Sequence, residues 1–112
     1  MTLNNCILWK DSATNGSELY IDSVSSATLQ HCCVDNSAGA YAGGGAVDYS
    51  NDCVFDDPQF MDAANGDYHL KDTSPCIDAG VNSLLPSGVD KDLDGNPRIV
   101  NGTVDMGAYE KQ

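Results

Sequence analysis

A short pattern that returns along the chain is the strongest constraint on its fold. Thr2-Leu3-Asn4-Asn5-Cys6-Ile7-Leu8 recurs as Thr28-Leu29-Gln30-His31-Cys32-Cys33-Val34, a shift of 26 residues that keeps Thr, Leu, Cys and a final aliphatic in place. Ser50-Asn51-Asp52-Cys53-Val54-Phe55 is a shorter third copy, 21 residues beyond the second. Units of this length suit the coils of a solenoid, where each buries its apolar face against its neighbours. Within a copy, an inward Leu ends one strand, two polar residues turn a corner, and Cys and Leu/Val/Phe point inward on the next strand. The residue between those two points outward. Parallel strands stacked about 4.8 Å apart would place Cys6, Cys32 and Cys53 in one interior column and Leu8, Val34 and Phe55 in another. An ordinary antiparallel sandwich is the competing arrangement.

The rest of the chain agrees with strands and turns. Gly, Asn, Asp, Ser and Thr interrupt every few residues, so no helical period develops. The Gly-rich stretch 38–46 lacks the Lys and Ser/Thr of a phosphate loop and reads as an excursion between coils. From Asp56 onward the repeat gives way to turn signals: Asp57-Pro58, Asn65-Gly66-Asp67, Ser74-Pro75, Pro86-Ser87-Gly88 and Asp94-Gly95-Asn96-Pro97. A solenoid end needs such a change to cover its apolar cross-section and its open edge. The expected organisation is one unit, 1–112, with about three coils over 1–55 and a loop-rich capping segment over 56–112.

Charge narrows the partners. Seventeen acidic residues against five basic ones give −12, a field that repels phosphate backbones and anionic membranes, so nucleic acid is not expected. The apolar run near the start, Cys6 to Trp9, is far short of the roughly 18 residues of a membrane span, and no membrane insertion is expected. No secretory signal is recognised. Five cysteines without a CxxC pair argue against zinc and against a fully paired disulfide framework, and read as small buried apolar residues.

Five motifs follow one another in the C-terminal half: Asp57-Pro58-Gln59-Phe60-Met61-Asp62, Gly66-Asp67-Tyr68-His69-Leu70, Ser74-Pro75-Cys76-Ile77-Asp78-Ala79-Gly80, Asp92-Leu93-Asp94-Gly95-Asn96-Pro97-Arg98 and Val104-Asp105-Met106-Gly107-Ala108-Tyr109-Glu110. In order and spacing, residues 53–110 resemble the end of the β-helix region of bacterial choice-of-anchor Q domain proteins, within the pectate-lyase-like group. The resemblance implies an all-β, right-handed parallel β-helix (solenoid) fragment in a secreted or cell-surface setting, with no assigned biochemistry. Relatives of this fold have many coils and an anchor, whereas this sequence begins at Met1 just ahead of a coil. It is therefore expected to behave as a short or excised piece whose open first coil drives homo-oligomerisation.

Candidate chemistry is sparse. Asp90, Asp92, Asp94 and Asn96 place oxygen ligands at alternate positions around Gly95, as at the start of a calcium loop. Arg98 and Asn101 stand where the later ligands of a full loop belong, and the competing reading is a turn in which the Asp side chains bind backbone N–H groups and Arg98 pairs with Asp92 or Asp105. Neither His31 nor His69 lies in a metal or nucleophile motif. Lyase relatives of this fold use calcium-binding carboxylates and a basic proton abstractor; Arg98, the sole arginine, stands too close to carboxylates to release its proton. Trp9, expected to face outward, is the candidate for stacking on a sugar of a polysaccharide. Asn15-Gly16-Ser17 and Asn101-Gly102-Thr103 match glycosylation acceptors and also read as turns. The resulting expectation is a non-catalytic structural module, with a carbohydrate-binding or polysaccharide-cleaving module as the alternative.

Overall fold

The computed structural model describes residues 1–11, 14 and 16–112, and the chain is all-β. Its N-terminal half is built from short strands paired in parallel. β1 (Thr2–Asn4), β4 (Ser26–Gln30) and β7 (Ala46–Asn51) form a three-stranded sheet in the order β1-β4-β7. β2 (Ile7–Leu8) pairs with β5 (Cys33–Val34), and β3 (Leu19–Tyr20) with β6 (Tyr41–Ala42). The register follows the repeat: Thr2 faces Thr28, Leu3 faces Leu29 and Leu8 faces Val34. Cys33 bridges Val54 in the same parallel sense.

The period shifts because the links differ in length. Ten residues join Leu8 to Leu19 where six join Val34 to Tyr41, and five join Tyr20 to Ser26 where three join Ala42 to Ala46. Between Thr28 and Gln30 a bulge on β7 takes up one more residue, so Thr28 faces Asp48 but Gln30 faces Asn51. The corners repeat as well. Asn5, His31 and Asp52 occupy equivalent places with φ of 55°, 51° and 54°, a left-handed conformation that Asn, His and Asp tolerate better than other side chains. Those identities make the same bend after β1, β4 and β7.

Two cores result. Cys32, Leu29, Val34, Ala27, Leu19 and Ile21 fill the space between the parallel pairs, with Cys6, Cys53, Leu3 and Leu8 against them. Cys6, Cys32 and Cys53 therefore share one interior, as the repeat requires. Phe55 does not share Val34's burial: it is 40% exposed and packs edge-on against Tyr49.

The position between the inward residues departs from expectation. Cys33 is fully buried and Ile7 and Val54 are half-buried, all in a second core with Leu70, Cys76 and Met106. The C-terminal segment supplies that core by lying along the flank of the β2–β5 pair. It contains two antiparallel hairpins, β8 (Phe60–Asp62) with β9 (Asp67–Leu70) and β10 (Ile99–Val100) with β11 (Thr103–Val104). Asn101 and Gly102 turn the second with φ of 57° and 86°, the geometry an Asn-Gly hairpin favours. Asn5 fixes the segment from the corner after β1: its amide donates to Val81 O at 3.0 Å and accepts from Val81 N–H at 2.9 Å, while its carbonyl accepts from Gly107 N–H at 2.8 Å. Gly107 has φ 98°, a conformation that favours glycine, and a Cβ there would also push Ile7 Cδ1 aside from 2.7 Å.

Candidate functional site

An open cleft of about 1360 Å³ lies where β1 and β2 meet the C-terminal segment. Trp9, Phe60, Tyr68 and Tyr109 line it, with Lys10 and Asp57 among the charged groups. Trp9 is half-buried: one part packs against the second core, and the Lys10 ammonium stands 5.7 Å from its ring centroid. Tyr68 is 49% exposed and meets Phe60 edge-on at 5.2 Å. The sugar-stacking candidate thus shares its cleft with two tyrosines, a grouping no spacing in the sequence announced.

The four residues read as a calcium loop are not gathered as ligands. Asp92 turns inward and its carboxylate is taken up by the backbone: Oδ1 accepts N–H bonds from Asp94 and Asn96 at 3.0 Å, and Oδ2 accepts from Glu110 N–H at 3.0 Å. Asp94 turns to His69, and Asp90 and Asn96 lie exposed. The Asp-x-Asp-Gly pattern here closes a turn around Gly95, whose φ is 83°.

Arg98 is buried and holds Glu110, with Nη1 3.0 Å from Oε2. Its Nη2 donates to the carbonyls of Gly107 at 2.7 Å and Asp105 at 3.3 Å, so its carboxylate partner is Glu110 rather than Asp92 or Asp105. Burial pushes the Glu110 carboxyl up to about 7, and the neighbouring Asp105 charge adds to the rise. Asp78, Asp105 and Glu110 each bring a carboxylate oxygen within 4.8 Å of the others, the one such group of three acidic, His or Cys side chains among the described residues. All three lie inside the C-terminal motifs, where only Asp105 had an expected role, as a partner of Arg98. The available signal was that a lone arginine in an acidic chain must find a carboxylate when buried.

His69 is held at both ring nitrogens, Nδ1 by Asp67 and Nε2 by Asp94, each at 2.5 Å, and its ring lies 4.0 Å from that of Tyr109. Asp94 first and Asp67 second raise its pKa above the ordinary histidine range. His31 stands 3.9 Å from Asp52, which follows β7 as His31 follows β4. Asn15 lies outside the described residues. No helix among the described residues is long and apolar enough to cross a membrane. No protein-family model, curated protein or solved structure matches the chain.

Proposed function

We propose that the chain is the end of a right-handed parallel β-helix, of the choice-of-anchor Q, pectate-lyase-like kind that its C-terminal motifs resemble, and serves as a non-catalytic structural module of a bacterial surface or secreted protein. Support comes from the parallel pairing at separations of 20 to 26 residues and from a shared interior for equivalent residues of successive coils. The hand follows from the strong preference of parallel crossovers for right-handed connection.

The observation that carries the role is the unpaired edge of β1. Thr28 N–H donates to Met1 O at 2.9 Å and Asn5 N–H donates to Gln30 O at 3.1 Å, so alternate residues of β1 face β4. Thr2 and Asn4 consequently turn their backbone groups away from β4, and apart from Asn4 O, which accepts from Cys6 Sγ at 3.1 Å, these groups are open to another strand. At the opposite end β7 is also an edge, flanked by the exposed rings of Tyr49 and Phe55. β1 of one copy adding to β7 of a second is a head-to-tail contact that does not close on itself, giving a series of oligomers. Light scattering across a concentration series tests this. Mass is expected to grow with concentration, and Thr2→Pro, which removes an edge N–H that β4 does not use, is expected to suppress the growth. A single-chain mass throughout removes the reading.

A second reading, carbohydrate binding, is favoured by the presence of Trp9, Tyr68 and Tyr109 in the lining of one cleft, since such rings stack on the apolar faces of sugars. A glycan array probed with the protein and with Trp9→Ala separates the two; signal lost in the variant supports it, and no signal above background rejects it. Arg98, buried and ion-paired, lends no support to a polysaccharide-cleaving extension.

A further inference from the structure

We propose that Cys6 and Cys32 are a redox-sensitive dithiol, which hydrogen peroxide closes into a disulfide joining the corner after β1 to the corner after β4. The parallel register brings the two residues into line. Asn4 pairs with Gln30 on one side of them and Ile7 with Cys33 on the other, and Cys33 N–H donates to Cys6 O at 2.8 Å. Equivalent residues of adjacent parallel strands lie about 4.8 Å apart, inside the range of roughly 4.4–6.8 Å that separates the Cα atoms of a disulfide. Both side chains belong to the first core, and their thiols hydrogen-bond to each other. Drawing that contact into a bond moves Cys6, half-buried beside the edge strand β1, more easily than the fully buried Cys32.

Access separates the roles of the two thiols. Cys32 is 0% exposed, and its Sγ donates to Leu3 O at 3.3 Å and Gln30 O at 3.4 Å. Cys6 lines the same open cleft as Trp9, so a small oxidant reaches it from solvent. Protonated, Cys6 Sγ donates to Asn4 O at 3.1 Å; the hydrogen bond from Cys32 favours the Cys6 thiolate instead, lowering the Cys6 pKa while the Cys32 thiol keeps its proton. An accessible thiolate with a second thiol in contact is the arrangement that captures an oxidised sulfur as a disulfide before it oxidises further. The remaining cysteines each lack one requirement. Cys33 and Cys76 also touch, but both are 0% exposed, and Cys53 does not line the cleft.

The chemistry runs in two steps. The Cys6 thiolate attacks one oxygen of hydrogen peroxide, the O–O bond breaks, and the departing hydroxide takes up the proton that Cys6 had released, leaving water and a sulfenic acid on Cys6. The Cys32 sulfur then attacks the Cys6 sulfur, the S–O bond breaks, and hydroxide leaves as a second water with the Cys32 proton. Two thiols are oxidised to one disulfide and one peroxide is reduced to two waters.

The test uses the whole chain, fully reduced, freed of reductant and kept dilute and native in mildly alkaline solution. Hydrogen peroxide is added, the remaining thiols are capped with an alkylating reagent, and mass spectrometry reads the intact chain and its fragments. Loss of two hydrogens per chain is expected, with the new bond mapped to Cys6 and Cys32 and with Cys33, Cys53 and Cys76 alkylated. Cys6→Ser is expected to lose the bond and Cys53→Ser to keep it. In Cys32→Ser the reaction is expected to stop at the Cys6 sulfenic acid, which dimedone captures; if that variant does not fold, the fragment map of the unsubstituted protein still decides. A chain that keeps all five thiols in millimolar peroxide overturns the proposal. So does a bond between any other two cysteines, within or between chains, or a Cys6 driven to sulfinic acid while the Cys32 thiol survives.

Discussion

Replacing Asn5 by alanine cuts the side-chain link between the corner after β1 and the C-terminal segment, and the structure sets the size of the loss. Asn5 is 4% exposed, and both ends of its amide are engaged by Val81, at 3.0 Å through the donor and 2.9 Å through the acceptor. Hydrogen bonds of this kind contribute about 1 kcal/mol each, and Val81 is half-buried, so water replaces the lost partners poorly. Asn5 also sits at φ 55°, where alanine costs about 1 kcal/mol more than asparagine. The sum is about 3 kcal/mol, a large part of the 5–15 kcal/mol that holds a domain together. With a urea slope of about 1.5 kcal/mol per molar, the unfolding midpoint falls by about 2 M. Hydrogen exchange gives a second reading, with the Val81 amide losing protection before amides of the parallel strands do. A loss below about 1 kcal/mol, under what the two hydrogen bonds alone supply, refutes the idea that this side chain fastens the segment.

Three further outcomes follow from the same contacts. Met106, fully buried in the second core, should cost about 2–5 kcal/mol when cut to alanine, measured by chemical denaturation. Gly43→Ala should destabilise far more than Gly39→Ala: both have φ near +90°, but a Cβ at Gly43 would lie 2.1 Å from Ile21 O, whereas at Gly39 nothing stands within 4 Å, and paired thermal melts give the difference. His69 has a raised pKa, so its contribution is fully present below the ordinary histidine range and is lost as pH rises through the folded-state value. The stability difference between the protein and His69→Gln should therefore be larger near pH 5.5 than near pH 9, on either side of that range.

The repeat made the parallel stack legible because chemistry and spacing agreed: Cys6, Cys32 and Cys53 recur at positions that a period of two turns inward, and the corner residues Asn5, His31 and Asp52 are types that bend backwards easily. The outer neighbour of each cysteine was misjudged for a physical reason. Alternation tells that Ile7, Cys33 and Val54 leave the first core, but not that a second apolar layer from Leu70, Cys76 and Met106 waits outside. Those three come from a segment with no period to read. Asp90 to Asn96 shows another limit: the acid-and-glycine spacing that opens a metal loop also suits a turn held by a side chain, and only the bonds from Asp94, Asn96 and Glu110 N–H to Asp92 tell them apart. Arg98 and Glu110 are 12 residues apart with no local motif between them, so their pairing belongs wholly to the tertiary fold.

Because Cys32 and Val34 look one way from β5 and Cys33 the other, that strand is a wall common to two rooms. Removing or adding one residue there would swap the occupants of both at once, and neither room has a complete lining if the chain is divided near Phe55. Residues 1–55 made alone would present Ile7, Cys33 and Val54 to water, and residues 56–112 would have nothing to enclose Leu70, Cys76 and Met106. The protein should accordingly melt in one transition, with amides along β5 the last to exchange with solvent.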